Sequence, residues 1–206
     1  MPVALTLPIA SFDPRDYERG EPGIQGIVDL VKWELWRWQP DGSLSIHSLP
    51  INVEEIGKLG LLPTNHPLIP HLISARTILL ERLAMFSNDF MEHLLELPTN
   101  PSAYLSVTAP TILPLLRAAT LKSDILPVLC GSAVRHIGTE IVMDYAGELL
   151  ASPQDVSLEA GTSRSQTPVQ LLAWKVSWDK RRGWMTFVRV YSGLSAELAP
   201  IIETEG

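Results

Sequence analysis

The first polar break in this chain comes early. Val3 to Ile9 is apolar enough for a short strand, and Asp13-Pro14 through Gly23 reads as a turn region. "GIQGIVDLVKWELWRWQPDGSLSIHSLPI" then alternates β-branched and aromatic residues with polar ones around Pro40-Asp41-Gly42, which predicts a β-hairpin. The period changes at His71. Leu72, Ala75, Leu79, Leu83, Phe86, Phe90 and Leu94 recur three or four apart, the stripe of a helix face needing cover, and Asn88-Asp89 marks a cap dividing it into two helices. A further helix is expected from Thr108 to Thr120, with Thr108 as N-cap, Pro110 in the first turn and an interior Pro114 that kinks it. "ILPVLCGSA" reads as a buried strand with its exit loop, and "GTEIVMDYAGELL" as a helix capped near Thr139 with Glu140 in the first turn. Ala151 to Thr167 is polar and turn-rich, a linker by composition. "VQLLAWKVSWDKRRGWMTFVRVYSG" closes the pattern as two alternating strands joined at Asp179 to Gly183, the kind of hairpin that opens a β-barrel. No repeat at solenoid spacing occurs.

Composition sharpens this picture. With 46% hydrophobic and 19% charged residues among 206, the chain can bury a core. A net charge of −7 argues against a nucleic-acid binder held by bulk charge, DNA included, although a local basic patch can still touch RNA. One cysteine excludes an internal disulfide. No stretch approaches the roughly 18 apolar residues of a membrane span. The N-terminal segment resembles neither a signal nor a transit peptide and reads as a strand within a domain.

The candidate chemistry concentrates in Cys130 to Asp144. Cys130, Ser132, His136 and Asp144 are the residue types of a nucleophilic triad, but a Gly-x-Ser-x-Gly elbow needs glycine where Val134 stands. Triad members usually converge from separate segments, so Cys130 reads as a small buried hydrophobe at a strand end. Histidines 47, 66, 71, 93 and 136 lack metal-ligand spacing, and no Gly-x-x-x-x-Gly-Lys-Ser/Thr phosphate cradle occurs. What remains is backbone: Gly131, Ser132 and Ala133 carry little side chain, so their N–H groups can approach the carbonyl of a planar ligand. Trp33, Trp36 and Trp38 read as packing on a sheet face, with base stacking or a ligand cage as the lesser alternative. Lys180, Arg181 and Arg182 read as a solvated turn, with a phosphate-facing loop as the alternative.

Four segments carry a family resemblance, collinear over nearly the whole chain. "ILPVLCGSAVRHIGTEIVMDYAGELLASPQDV" resembles the VPVLCGSAxxNxGxxxLLDAVxxYLPSPxDV passage of elongation factor G-type translational GTPases. "LLAWKVSWDKRRGWMTFVRVYSG" resembles the FK…D…G…TFxRVYSG start of their second domain, "PVALTLPIAS…GIQGIVDLVKWELWRW" their VPxQLPIG…FxGIIDLI segment, and "ARTILLERLAMFSNDFMEHLLE" their AREKLLEAVAExDDELMEKYLE helices. The Asp179 to Gly183 hairpin is most similar to that of the second mitochondrial, ribosome-releasing type.

The resemblance implies an α/β fold. It comprises an α+β insertion subdomain of the GTPase domain over 1–124, the last strand, loop and helix of that P-loop domain over 125–151, a linker over 152–167, and the first hairpin of a β-barrel over 168–206. It makes Gly131, Ser132 and Ala133 the fifth guanine-nucleotide motif, whose backbone meets the guanine base. GTP with magnesium is then the cofactor, and the mitochondrial ribosome, with ribosome recycling factor, the partner. The parent role is GTP-dependent ribosome recycling in mitochondria; the alternatives are elongation or a decayed, non-catalytic ribosome-binding module. His136 stands where the family has asparagine. The other four guanine motifs fall upstream of Met1 on this reading, so a fragment, a truncated gene or a decayed paralogue is expected. Such a chain leaves the Val3–Ile9 and Ile125–Leu129 strand edges unpaired.

Overall fold

Leu5 divides the apolar N-terminal run between two sheets. In the computed structural model, which describes residues 1–19, 23–39, 41–52, 54–98, 100, 102–152, 155 and 170–192, β1 (Pro2–Ala4) pairs in parallel with β6 (Leu126–Val128). β2 (Thr6–Ile9) instead pairs antiparallel with β3 (Gly26–Asp29). Leu5 joins the two sheets through its own backbone. Its N–H donates to the Val128 carbonyl at 2.9 Å, and its carbonyl accepts from Leu30 N at 2.8 Å. Of the edges expected to be unpaired, β1 and β6 thus pair with each other, and in that two-stranded sheet each keeps its outer edge without a strand among the described residues. β6, expected to be buried, has Leu126 and Val128 exposed, because its two-stranded sheet is covered on one side only.

The second sheet has the order β2-β3-β4-β5, with β4 (Glu34–Trp38) and β5 (Leu44–Ser48) forming the hairpin expected around Asp41-Gly42. Trp36 and Trp38 share one sheet face, ring centroids 6.2 Å apart. Trp33 sits in the turn before β4 with a left-handed φ of 59°, and its indole N–H donates to the Pro50 carbonyl at 3.0 Å. That bond holds a conformation a bulky residue otherwise avoids.

Two short helices, α1 (Pro14–Arg19) and α2 (Glu54–Lys58), precede the main helical pair. The helical stripe divides into α3 (Ile69–Ala84) and α4 (Asn88–Glu96). The cap is Ser87, whose hydroxyl accepts from Phe90 N at 3.3 Å, so the break falls one residue before Asn88-Asp89. Leu72, Leu79, Leu83, Phe90 and Leu94 are buried, whereas Phe86 lies in the turn and is exposed. α5 (Ala109–Leu121) continues through Pro114. The N-cap of α6 (Thr139–Leu149) is Gly138, and Thr139 is the first helical residue.

A polar group lies at the centre of this apolar packing. Asp29 at the end of β3 is fully buried. Its carboxylate accepts from Val31 N and Lys32 N, both at 2.8 Å, and from the Tyr145 hydroxyl of α6, 2.8 Å from each oxygen. Arg76 of α3, equally buried, donates to the carbonyls of Leu30, Val31 (3.1 Å) and Val107 (2.5 Å). Burial lowers the guanidinium to about 10, which keeps it charged at neutral pH, and pushes the Tyr145 hydroxyl up.

The chain divides into two units, Met1–Leu150 and Ala151–Gly206. The second unit, over its described residues, is a hairpin of β7 (Gln170–Asp179) and β8 (Gly183–Ser192) and not a closed barrel. Asp179 Oδ1 accepts from Arg181 N and Arg182 N, and Gly183 has φ 78°, so the Lys180–Arg182 tip is a tight turn. The Trp178 and Trp184 rings meet edge-on at 5.3 Å. Apart from Ser152 and Asp155, the linker expected over 152–167 lies outside the described residues.

Two outcomes test the buried centre. Tyr145→Phe leaves the Asp29 carboxylate short of its hydroxyl donor and should cost about 1–3 kcal/mol in urea unfolding; an unchanged midpoint would remove Asp29 from the centre of the fold. The second concerns pH. Burial, the largest influence, holds Asp29 above the ordinary carboxylate value, and its hydrogen bonds pull part of the way back. The folded chain thus binds this proton more readily than the unfolded chain. The group's contribution to stability is present below the unfolded value of about 4 and is lost as pH rises through the folded one. Asp29→Asn should remove that component from the stability–pH curve.

Candidate functional site

The loop between β6 and α6 is closed by its own backbone. Ser132 and Ile137 exchange two hydrogen bonds, Ser132 N to Ile137 O at 2.9 Å and Ile137 N to Ser132 O at 3.0 Å. A single 3₁₀ turn, Ala133–Arg135, fills the space between them. His136 (φ 55°) and Gly138 (φ 81°) are left-handed, and they turn the chain into α6. The Thr139 hydroxyl donates to the His136 carbonyl at 2.9 Å and steadies that exit. At the entrance, Cys130 N donates to Thr6 Oγ1 at 2.9 Å, which ties the loop to β2.

Two glycines are required by close approach. A Cβ on Gly131 would stand 2.7 Å from the Ile137 carbonyl oxygen; one on Gly138 would stand 2.6 Å from Ile27 Cδ1 and 3.0 Å from the Cys130 carbonyl. Gly131 and Ala133 are exposed and Ser132 is half-buried. The Ser132 amide is engaged within the loop, whereas among the described residues no hydrogen bond uses the amides of Gly131 or Ala133. Two of the three expected backbone donors are therefore uncommitted.

The triad residue types do not assemble. The Cys130 thiol is pushed up by burial, and it lies 3.2 Å from Thr6 Oγ1. Asp144 stands 3.8 Å from Lys32 Nζ. Among the described residues neither Ser132 nor His136 shares a side-chain hydrogen bond with Cys130 or Asp144. A protonated thiol without a base is no nucleophile. His66 is a core histidine: it is buried, Nε2 lies 2.8 Å from the Ser11 carbonyl, and Nδ1 accepts from Leu68 N at 3.2 Å. No cluster of His, Cys, Asp or Glu fit for a metal occurs among the described residues, and no helix there is long and apolar enough to cross a membrane.

Two features escaped the sequence. One is the Asp29–Tyr145 contact, which fixes α6 and therefore the loop's exit; a buried-looking aspartate after "GIV" was its only signal. The other is an open groove of about 780 Å³ between the end of the β4–β5 hairpin and the loop, lined by Trp38, Arg37, Gln39, Arg135, His136 and Glu140 among others.

The mixed α/β fold recurs in a crystal structure from Thermus thermophilus. The TM-score is 0.61 over 93% of this chain and 23% of that one, at 19% identity. By sequence, the chain is 30% identical to the mitochondrial ribosome-releasing factor 2 of Vanderwaltozyma polyspora, over 93% of its own length and 24% of the relative's. It is 31% identical to elongation factor G of Cytophaga hutchinsonii over 93% and 25%, and 29% identical to ribosome-releasing factor 2 of Eremothecium gossypii over 89% and 22%. No family model matches. The chain is thus a homologue of the elongation factor G and ribosome-releasing factor 2 proteins, and it spans about a quarter of their length.

The loop's geometry predicts the behaviour of its glycines. Gly138→Ala meets both a left-handed φ and Ile27, and should lower stability by about 1–3 kcal/mol in urea unfolding. Gly131→Val should separate the Ser132–Ile137 pair, read as faster amide hydrogen exchange at both residues. Unchanged exchange in the valine variant would mean the loop tolerates the added side chain.

Proposed function

We propose that this chain is part of a translational GTPase, in which the loop Gly131-Ser132-Ala133 meets the guanine base. The observation that carries the reading is the closed loop itself, in which Gly131 and Ala133 are exposed residues whose amides are uncommitted among the described residues. Two uncommitted backbone donors suit a base carbonyl, and small side chains let the base approach. On this reading 125–151 ends the nucleotide-binding domain, 1–124 is its insertion subdomain and 168–206 opens the next domain.

The fit is to the base alone. The 206 residues contain no P-loop, and no carboxylate cluster for magnesium occurs among the described residues. GTP and magnesium therefore belong to the whole factor, where they supply the hydrolytic chemistry; this chain's residues orient the base. The partner is the ribosome, and the compartment the mitochondrion, as the names of two of the relatives indicate for those proteins. Recycling of ribosomes, with ribosome recycling factor, is the parent role; similarity to elongation factor G makes elongation the second reading.

The test is base-specific. In ¹⁵N–¹H spectra of the full chain, millimolar GDP should shift the amides of Gly131 and Ala133 and ADP should not; equal responses to both nucleotides would sink the base-contact reading. No GTP turnover should be detectable. Co-sedimentation with mitochondrial ribosomes addresses the partner, and Lys180→Glu/Arg181→Glu should reduce it if the hairpin tip faces rRNA phosphate. Unchanged pelleting would return that tip to an ordinary solvated turn.

A further inference from the structure

The groove beside the loop is not used by the base-contact reading, and its lining is chemically mixed in a telling way. Trp38 is half-buried beside Trp36. Arg37 lies over the Phe12 ring, 4.0 Å from the centroid. Arg135 reaches across from the loop to Gly23, where an added Cβ would stand 2.7 Å from Nη1, so glycine makes the room. Among the described residues no carboxylate lies within ion-pair distance of either guanidinium. On a chain of net charge −7, two arginines without an ion-pair partner among the described residues share one groove with an indole, the Gln39 amide, His136 and Glu140.

We infer that this groove binds single-stranded RNA. An indole provides a stacking surface for any base, and guanidinium groups bind phosphate oxygens in two-pronged fashion. The Gln39 amide and the Glu140 carboxylate are suited to the donor edges of bases. An acidic peptide would use the arginines but leave the indole idle, so the lining favours nucleic acid. At about 780 Å³ the groove is sized for a few nucleotides rather than a duplex. The choice of RNA over DNA rests on the ribosomal reading above; the groove itself does not depend on guanine contact, so failure of the GDP experiment leaves it standing.

The experiment is fluorescence anisotropy of end-labelled hexauridylate with the full chain carrying Lys180→Ala, Arg181→Ala and Arg182→Ala, which removes the hairpin tip as a competing basic site. Binding is expected, with a log–log salt slope of about −1.4, as two phosphate contacts on a single strand give. Arg135→Glu, at an exposed position, should reduce that slope by about 0.7 and weaken binding. Trp38→Leu should weaken it about fivefold or more, the lower end of a stacking contribution; circular dichroism checks its folding, and Arg135→Glu decides the matter if that variant fails to fold. The inference is overturned by no binding at millimolar chain, by an Arg135→Glu variant that binds as before, or by hexaglutamate displacing the RNA as well as unlabelled hexauridylate does.

Discussion

The Asp29 carboxylate determines where everything else in the first unit can be. A buried charge is tolerated only when donors surround it, and here three donors come from two segments. The amides of Val31 and Lys32 fold the chain tightly after β3, and the Tyr145 hydroxyl brings in α6. The same turn presents the Leu30 and Val31 carbonyls to Arg76 of α3, whose second arm holds Val107 at the entrance of α5. Two polar side chains thus register one sheet and three helices. Apolar contacts alone would allow α6 to slide along the core; a hydroxyl held by both carboxylate oxygens does not. Since α6 begins where the candidate loop ends, the loop's shape depends on a contact made two turns further along the helix.

Magnitudes explain why such a loop is a component and not a site. Each neutral hydrogen bond to a base edge is worth about 0.5–1.5 kcal/mol net, whereas association costs an estimated 4–15 kcal/mol in lost freedom. Two amides alone leave binding weak, on the order of millimolar at the tightest. On the proposed reading, most of the affinity for a nucleotide comes from its charged phosphate groups, which are met outside this loop. On that reading the loop selects among nucleotides whose phosphates are held elsewhere. The left-handed His136 and Gly138 fit that role, because a loop that selects must be rigid before the ligand arrives.

The elements legible in the sequence were those fixed by local chemistry. The Leu72-to-Leu94 stripe gave α3 and α4, the turn after Trp38 gave the hairpin, and Asp179 with Gly183 gave the second one. The cap was misplaced by one residue because Ser87, Asn88 and Asp89 all cap well, and only the hydroxyl's contact with Phe90 N separates them. What stayed hidden was non-local. Nothing near Leu5 says that one residue will serve two sheets, since its partners are Val128 and Leu30. Nothing near Tyr145 names Asp29, 116 positions away. The burial expected of β6 failed for the same reason: apolar composition is local, while the layer that covers a face is not. At the candidate site, small residues marked the loop, but which amides remain free depended on the Ser132–Ile137 pairing.

The distribution of arginines links stability to recognition. Three arginines of the first unit serve as cross-links to backbone carbonyls. Arg76 joins three of them, Arg82 holds the Pro2 carbonyl at 2.5 Å, and Arg117 closes the C-terminal end of α6 through Glu148 and Leu150 at 2.7 and 3.0 Å. A planar fork with several donors suits that task, and the macrodipole favours a cation at a helix C-terminus. Arg37 and Arg135 depart from the pattern. One is stacked on a phenyl ring and the other laid against a glycine, and among the described residues neither guanidinium has a hydrogen-bond or ion-pair partner. Holding an arginine in place without using its donors sacrifices side-chain entropy for no internal bond. An acidic chain that does this twice in one groove has placed its unspent cationic donors where an anion can meet them.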